Sequence, residues 1–480
     1  MSLPPPVSSP ASESGSPAVS ASVAVDLNAT AGALPSRSIG FSFEKDMLPS
    51  GMFADTNAPL VALFKLLRPG VLRLGGNSVD EVTWNADGPG LTPDVVSPPD
   101  LVRLAGFLAA VDWRVIYGTP FLYSTADSVA AEAQAATKLL GAQLQSFELC
   151  NEPDLYWLNP QAVPIAGTSQ LFNARWSMLA SALRAAVPGA VLTGPASALL
   201  LSFDALTATF PTNHPGLISQ LTQHYYRGLI DLPQIFDPPL IDFLLAVDPS
   251  LDATLVNAAA TGHRFRLSET NSFSSNGQAG VSDTFASALW VADLILRCAA
   301  GGADGVNLHN SGPNYPAILI DGITIAAIQP LFYGMLLAAG AGHGPMPAIA
   351  FAPSMSALRA YAVQPAPGAV SVVLINTDAT VAAQVTLYFG CAVTSAVATW
   401  LSAPRRDAPG GVTLGGASVG VDGSWTPNAP EPLPVNGSSV AVPLAAASAT
   451  LVQVTLAAST PNTTPSIAAA SIPADGGLIP

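Results

Sequence analysis

The chain of 480 residues is 49% hydrophobic and only 10% charged, with a formal net charge of −15. That length buries a sizeable core and exceeds what one barrel needs, so a barrel with a smaller companion domain is expected. The acidic balance argues against nucleic acid or sulfated polyanions as partners, because repulsion slows their approach, and favours a neutral or singly charged small substrate.

The three cysteines, Cys150, Cys298 and Cys391, are odd in number and widely spaced. They imply neither a disulfide framework nor a metal site and read as small apolar core residues. No uninterrupted apolar run of about 18 residues is present to span a membrane. Residues 1–19 are rich in Pro, Ser and Ala and lack the basic and apolar regions of a signal peptide. They read as a disordered leader of the kind that tethers exported domains, so a secreted or periplasmic location is expected.

Residues 20–35 open with a polar/apolar alternation typical of a strand, expected to join the C-terminal sheets. From 36 to 342, short apolar runs alternate with longer helical patterns. Strands are expected at 39–44, 70–77, 114–118, 147–154, 190–195, 221–226, 264–269 and 305–310. Helices are expected at 58–67, 98–111, 128–140, 172–187, 251–260, 282–300 and 323–339, the last bent by Pro330. Eight such units predict a (β/α)8 TIM barrel. An open doubly wound sheet is the alternative, but it does not explain why polar residues recur at nearly every strand end. Beyond residue 343 the period changes to two, with strands at 357–363, 369–375, 382–389 and 449–456 separated by Gly, Pro, Asn and Asp. That pattern predicts a C-terminal β-sandwich over 343–457, followed by a low-complexity tail over 458–480.

Two strand ends carry the chemistry. The run Phe147-Glu148-Leu149-Cys150 leads into Asn151-Glu152-Pro153, where proline blocks further pairing and leaves Glu152 at a strand tip. More than a hundred residues later, Arg266-Leu267-Ser268-Glu269-Thr270 ends a second strand in a carboxylate. One carboxyl to donate a proton and one carboxylate to attack are what cleavage of a glycosidic bond requires. Arg73, inside an apolar strand, needs a buried partner and is expected to pair near these carboxylates. The paired glycines Gly75-Gly76 read as a place where backbone approaches a ligand. Trp84, alone on a loop, reads as packing. The five histidines show no metal-ligand spacing, and His224 and His309 read as hydrogen-bonding partners behind the site.

On these residues the chain resembles glycoside hydrolase family 79, the β-glucuronidase and heparanase family of clan A. The likeness is carried by Glu44, Gly75-Gly76-Asn77, Asn151-Glu152-Pro153, Glu269-Thr270, Ser282-Asp283-Thr284-Phe285-Ala286 and Asn314-Tyr315. It implies that Glu152 is the acid/base and Glu269 the nucleophile of a retaining exo-β-glucuronidase that needs no cofactor and no metal. It further implies that Asn151 bonds the hydroxyl beside the anomeric carbon and that Glu44 and Asn77 contact other hydroxyls. Tyr225 would orient the nucleophile, with Tyr226 taking that role if the register is shifted by one. Tyr315 and backbone donors around Ser275 and Asn276 would receive the sugar carboxylate. Ser274-Ser275-Asn276-Gly277 departs from the aromatic-glycine pattern the family often has there. Residues 117–124 contain no Lys or Arg, which disfavours an endo-acting, heparanase-like enzyme. An exo-glycosidase on a neutral sugar such as glucose or xylose, and a glycan-binding barrel without activity, are the other readings.

Overall fold

The computed structural model describes residues 18–229 and 239–457. The leader and tail expected at the two ends lie almost wholly outside these residues. Eight parallel strands form a closed barrel. In ring order they are Ile39–Glu44, Val71–Gly75, Arg114–Gly118, Leu144–Glu148, Leu192–Ser197, Ile218–Gly228, Arg264–Phe273 and Val306–His309, referred to below as the first to eighth strands. The eighth pairs with the first along Val306–Ile39 to His309–Ser42 and shuts the ring. The fold is a (β/α)8 TIM barrel.

Alternation along each strand sorts side chains between the helix layer and the barrel interior. On the first strand, Phe41 and Phe43 face outward, where Phe41 meets Phe64 and Trp113 and Phe43 meets Phe53. Ser42 and Glu44 therefore face inward. Arg73 on the second strand and Asn307 and His309 on the eighth share that interior. Near the lower end, Arg266 Nε donates to Asn307 Oδ1 at 2.6 Å and its terminal nitrogens reach the Arg37 carbonyl. Burial pushes the Arg266 guanidinium down to about 9.

Arg266 and Glu269 both point inward although they are three residues apart, which simple alternation forbids. The register shifts between Leu267 and Glu269 against the sixth strand, and again against the eighth. This irregularity rephases the strand so that its carboxylate enters the barrel mouth, a common use of a bulge beside a site.

The helix Pro98–Val111 has the expected bounds, and others follow their expected positions with shifted ends, for example Ala126–Leu140, Ser169–Ala186 and Phe285–Ala300. The expected helix over 323–339 is corrected. Ile318–Asp321 and Thr324–Ile328 form a hairpin turning at Gly322 (φ 62°), and the helix is Pro330–Gly340. Pro330 occupies its first turn, where a missing N–H costs nothing, so it starts the helix instead of bending it.

The C-terminal portion is sheet-rich. In a five-stranded sheet, Val19–Leu34 lies between Gly344–Ala352, antiparallel, and Ala383–Tyr388, parallel. The second sheet contains Leu358–Ala366, Ala369–Asn376, Ser448–Leu456 and Val393–Ser402 in that order. Apolar residues of both sheets, among them Val23, Val385, Val372 and Val452, form one buried cluster. The barrel is tied to these sheets where the first turn of the helix Phe285–Ala300 donates from Phe285 and Ala286 to the carbonyls of Ala408 and Arg406.

Candidate active site

The floor of the barrel mouth is built on Arg73, which is fully buried. Its Nε donates to Glu148 Oε2 at 2.6 Å, its Nη1 to Glu269 Oε2 at 2.6 Å, and its Nη2 to Asn151 Oδ1 at 2.9 Å. One guanidinium on the second strand thus fixes side chains of the fourth strand, the turn that follows it and the seventh strand, using the fork geometry that suits Arg and not Lys. Burial opposes the charge, but Glu148 and Glu269 overcome it and hold Arg73 above its ordinary value. Glu148, the last paired residue of the fourth strand, was not singled out from the sequence. It reads there as one polar residue in an apolar run, and only the approach of Arg73 gives it a role.

The glycine pair lets backbone pack on charged side chains of the protein itself. A Cβ at Gly75 would lie 2.8 Å from the Arg73 guanidinium carbon, and one at Gly76 (φ 71°) 2.3 Å from Glu44 Oε2. Glu44 accepts from the Ser78 N–H at 2.8 Å and lies 3.4 Å from His309 Nε2. Its carboxyl is held below the usual range, because His309 and the Ser78 N–H outweigh the burial that raises it. On its other side His309 Nδ1 lies 3.4 Å from Glu269 Oε2. Burial lowers the His309 pKa, but Glu269 and Glu44 outweigh it and raise the value.

Glu269 is almost buried. Its Oε1 accepts from Tyr226 Oη at 2.8 Å, and its Oε2 carries the Arg73 bond. Burial alone would raise its pKa, yet His309, His224, Arg73 and the Tyr226 hydroxyl together hold it far below the usual carboxylate range. Glu152 sits beyond the last paired residue of its strand, with Cys150 at φ 141° and Glu152 itself at φ 50°. Such conformations cost about 1–3 kcal/mol each and cluster at functional sites. The Glu152 N–H donates to the Ala196 carbonyl at 2.9 Å, which anchors the turn. Its Oε1 shares a hydrogen bond with His224 Nδ1 at 2.9 Å, the proton's position depending on the tautomer.

The ligand atoms of Glu152, His224 and Glu269 all lie within 4.8 Å of one another. That spacing is open to a metal ion, and no other such group occurs among the described residues. Both Glu269 oxygens are already bonded to Tyr226 and Arg73, so the positive charge a cation would bring is supplied by the guanidinium.

These groups line a cleft of about 1010 Å³. Glu44, Asn77, Asn151, Glu152, Glu269, Ser275, Asn276 and Tyr315 all border it. Asn151 Nδ2 donates to Asn77 Oδ1 at 3.1 Å. Ser275, Asn276 and Gly277 are consecutive residues at positive φ, and Gly312 lies so close that a Cβ there would meet Asn276 Oδ1 at 2.4 Å. Tyr315 is buried against Tyr226 and His309, its hydroxyl 3.4 Å from Ser311 Oγ. Tyr225 is the exception and corrects the expectation. Its hydroxyl bonds Asp248 Oδ2 at 2.8 Å, outside the ring. His224 and Tyr226 share the inward face of the sixth strand, and Tyr225 between them points the other way. Trp84 packs against the core as expected. Trp157, next to Tyr156 in the short 3-10 helix Pro153–Leu158, and Tyr123, on the loop after the third strand, border the cleft and were missed because neither short segment carries a periodic signal.

No family model matches the chain. A β-glucuronidase from Aspergillus niger is 27% identical over 233 residues, covering 44% of this chain and 43% of that relative. The match thus spans less than half of the relative's length. Among solved structures, a 4-O-α-L-rhamnosyl-β-D-glucuronidase from Fusarium oxysporum 12S superposes with a TM-score of 0.74 at 20% identity, covering 91% of this chain and 100% of that one. A GH51 arabinofuranosidase from Xanthomonas axonopodis pv. citri has a TM-score of 0.66 at 14% identity, with 91% and 100% covered. At these identities the likeness shows the shared fold.

Proposed function

We propose that the chain is a retaining exo-β-glucuronidase of the family 79 kind. The observation that carries this reading is the pairing of two carboxyl groups, an oxygen of one within 4.8 Å of an oxygen of the other, in unlike environments. Glu269 is held ionised by Arg73, Tyr226 and the histidines, whereas Glu152 is bonded to His224 and open to the cleft. Retaining enzymes need the closer of the two known carboxyl spacings, about 5–5.5 Å, since no water must fit between nucleophile and sugar.

In the first step Glu152 gives its proton to the glycosidic oxygen while Glu269 attacks the anomeric carbon. The bond to the leaving group breaks and a glycosyl ester forms on Glu269. Glu152, now a carboxylate, takes a proton from water as the oxygen attacks the same carbon, and the ester breaks to release the sugar and restore both groups. Asn151, bonded to Arg73 and Asn77, is the candidate donor to the hydroxyl next to the reacting carbon. Tyr315 and the backbone at Ser275 and Asn276 are the candidate donors for the sugar carboxylate. The Aspergillus niger and Fusarium oxysporum proteins, both glucuronidases by name, support the choice of sugar. The absence of Lys and Arg among the described residues bordering the cleft supports small, unsulfated substrates over sulfated polymers.

That same anionic border, with Glu44, Asp80 and Glu81, favours a second reading, an exo-glycosidase for a neutral sugar. Comparing kcat/KM on para-nitrophenyl β-D-glucuronide, glucoside and xyloside separates the two, and a preference for either neutral sugar overturns the first. On the preferred substrate, Glu269→Gln is expected to abolish turnover with folding intact. Glu152→Gln is expected to lower the rate by roughly 10²–10⁴-fold. The first product seen by NMR is expected to be the β anomer; an initial α anomer would exclude the retaining mechanism.

A further inference from the structure

The cleft has two chemically different sides, set by ring order. The loops after the seventh, eighth, first and second strands supply Asn276, Ser311, Tyr315, Glu44 and Asn77, groups suited to sugar hydroxyls and a carboxylate. The loops after the third, fourth and fifth strands supply Tyr123, Leu155, Trp157, Leu158 and Leu199, with Asn159 and Gln161 as polar members at the rim, where the Tyr123 hydroxyl donates to Gln161 Oε1 at 3.4 Å. Glu269 belongs to the first arc and Glu152 to the second. The proton donor must stand beside the departing oxygen, so the apolar arc lies on the leaving-group side.

This arc presents carbon to solvent. Trp157 is 63% exposed, Leu158 58% and Tyr123 54%, unusual values for such side chains beside a buried polar floor. It is also braced from beneath. Tyr156 stacks on Phe121 at 5.9 Å, and Arg175 lies over the Phe121 ring and bonds the carbonyls of Phe121 and Ser124. Asp154 accepts from the N–H groups of Ala198 and Leu199, tying the fourth loop to the fifth. At about 1010 Å³ the cleft has room beyond one sugar ring, matching the upper end of the roughly 300–1,000 Å³ range of small-molecule sites.

We propose that Trp157, flanked by Tyr123 and Leu158, is the leaving-group platform of this cleft and selects glucuronides whose aglycone is aromatic, an inference that rests on the glucuronidase reading above. An uncharged planar aglycone stacks on the indole and covers leucines that have nothing to offer a hydroxyl. It also brings no negative charge to an already anionic border.

The test compares the full-length chain with Trp157→Ala and Tyr123→Ala on three substrates: methylumbelliferyl β-D-glucuronide, a glucuronyl disaccharide and β-D-glucuronyl fluoride. The fluoride has no aglycone to stack and serves as the internal control. Trp157→Ala is expected to lower kcat/KM on the aryl substrate by roughly 3- to 10-fold, the size of one aromatic stacking contact. The fluoride should be hydrolysed at the unaltered rate, with an unaltered melting temperature. Equal kcat/KM values for wild type and both variants on the aryl substrate would overturn the platform. A larger loss on the disaccharide than on the aryl glucuronide would overturn the aromatic aglycone and assign the platform to a sugar. Failure of the wild type to hydrolyse even the fluoride would strike the glucuronidase reading itself.

Discussion

Tyr225 and Tyr226 are chain neighbours with opposite surroundings, because successive side chains on a strand face opposite ways. Tyr226 donates to Glu269 Oε1, and Tyr225 to Asp248 on the helix side. A hydrogen bond to the ionised form favours that form, so removing it raises the acid's pKa. Tyr226→Phe is therefore expected to move the acidic limb of the kcat/KM profile to higher pH. A bond to a charged group is worth about 1.5–3 kcal/mol, which corresponds to about one to two pH units. The sign follows from Glu269 being held low in the native site: less help for the carboxylate means protonation at higher pH and activity lost sooner on acidification. Tyr225→Phe should leave the profile in place. Measured pH profiles of the two variants decide the matter, and a shift in Tyr225→Phe alone would reverse the assignment.

At the scale of elements, the tip of the second strand shows how backbone geometry serves a site. Gly76 sits at φ 71° and ψ −168°, a region open almost only to glycine, with the Glu44 carboxylate where a side chain would begin. Gly76→Ala is expected to cost about 1–3 kcal/mol of stability and to break the Ser78–Glu44 bond. Pro330→Ala, at a helix start where proline is merely tolerated, should cost under about 1 kcal/mol. Urea unfolding of both variants checks the contrast; a Gly76→Ala midpoint equal to wild type would refute the close approach. The rephased seventh strand is a feature of the same scale. Its displacement by one residue turns Glu269 inward beside Arg73, and no local pattern in Arg266-Leu267-Ser268-Glu269 announces it.

For the molecule as a whole, the strand Val19–Leu34 closes the sheet-rich portion from the other end of the chain. It is paired on both sides, and Val23 and Val25 are wholly buried in the shared cluster. A variant lacking residues 1–34 would leave two unpaired strand edges and an opened apolar cluster, the usual template for aggregation. Loss of soluble protein or a clearly lowered melting temperature is expected. A soluble variant with unchanged thermal unfolding would show that the sheets do not depend on this strand.

Short apolar runs ending in polar residues were enough to place the eight barrel strands, and proline after Asn151-Glu152 was enough to mark that tip, because strand period and proline's missing donor are properties of a few neighbouring residues. Tertiary structure alone decided which way the polar side chains turned. Arg73 joins Glu148, Glu269 and Asn151 across three strands, the bulge rotates Glu269 into the mouth, Tyr226 replaces Tyr225, and ring order gathers Trp157 and Tyr123 onto one side. Each of these is settled by partners distant in the chain, whose approach depends on closure of the whole barrel and leaves no imprint on local residue order.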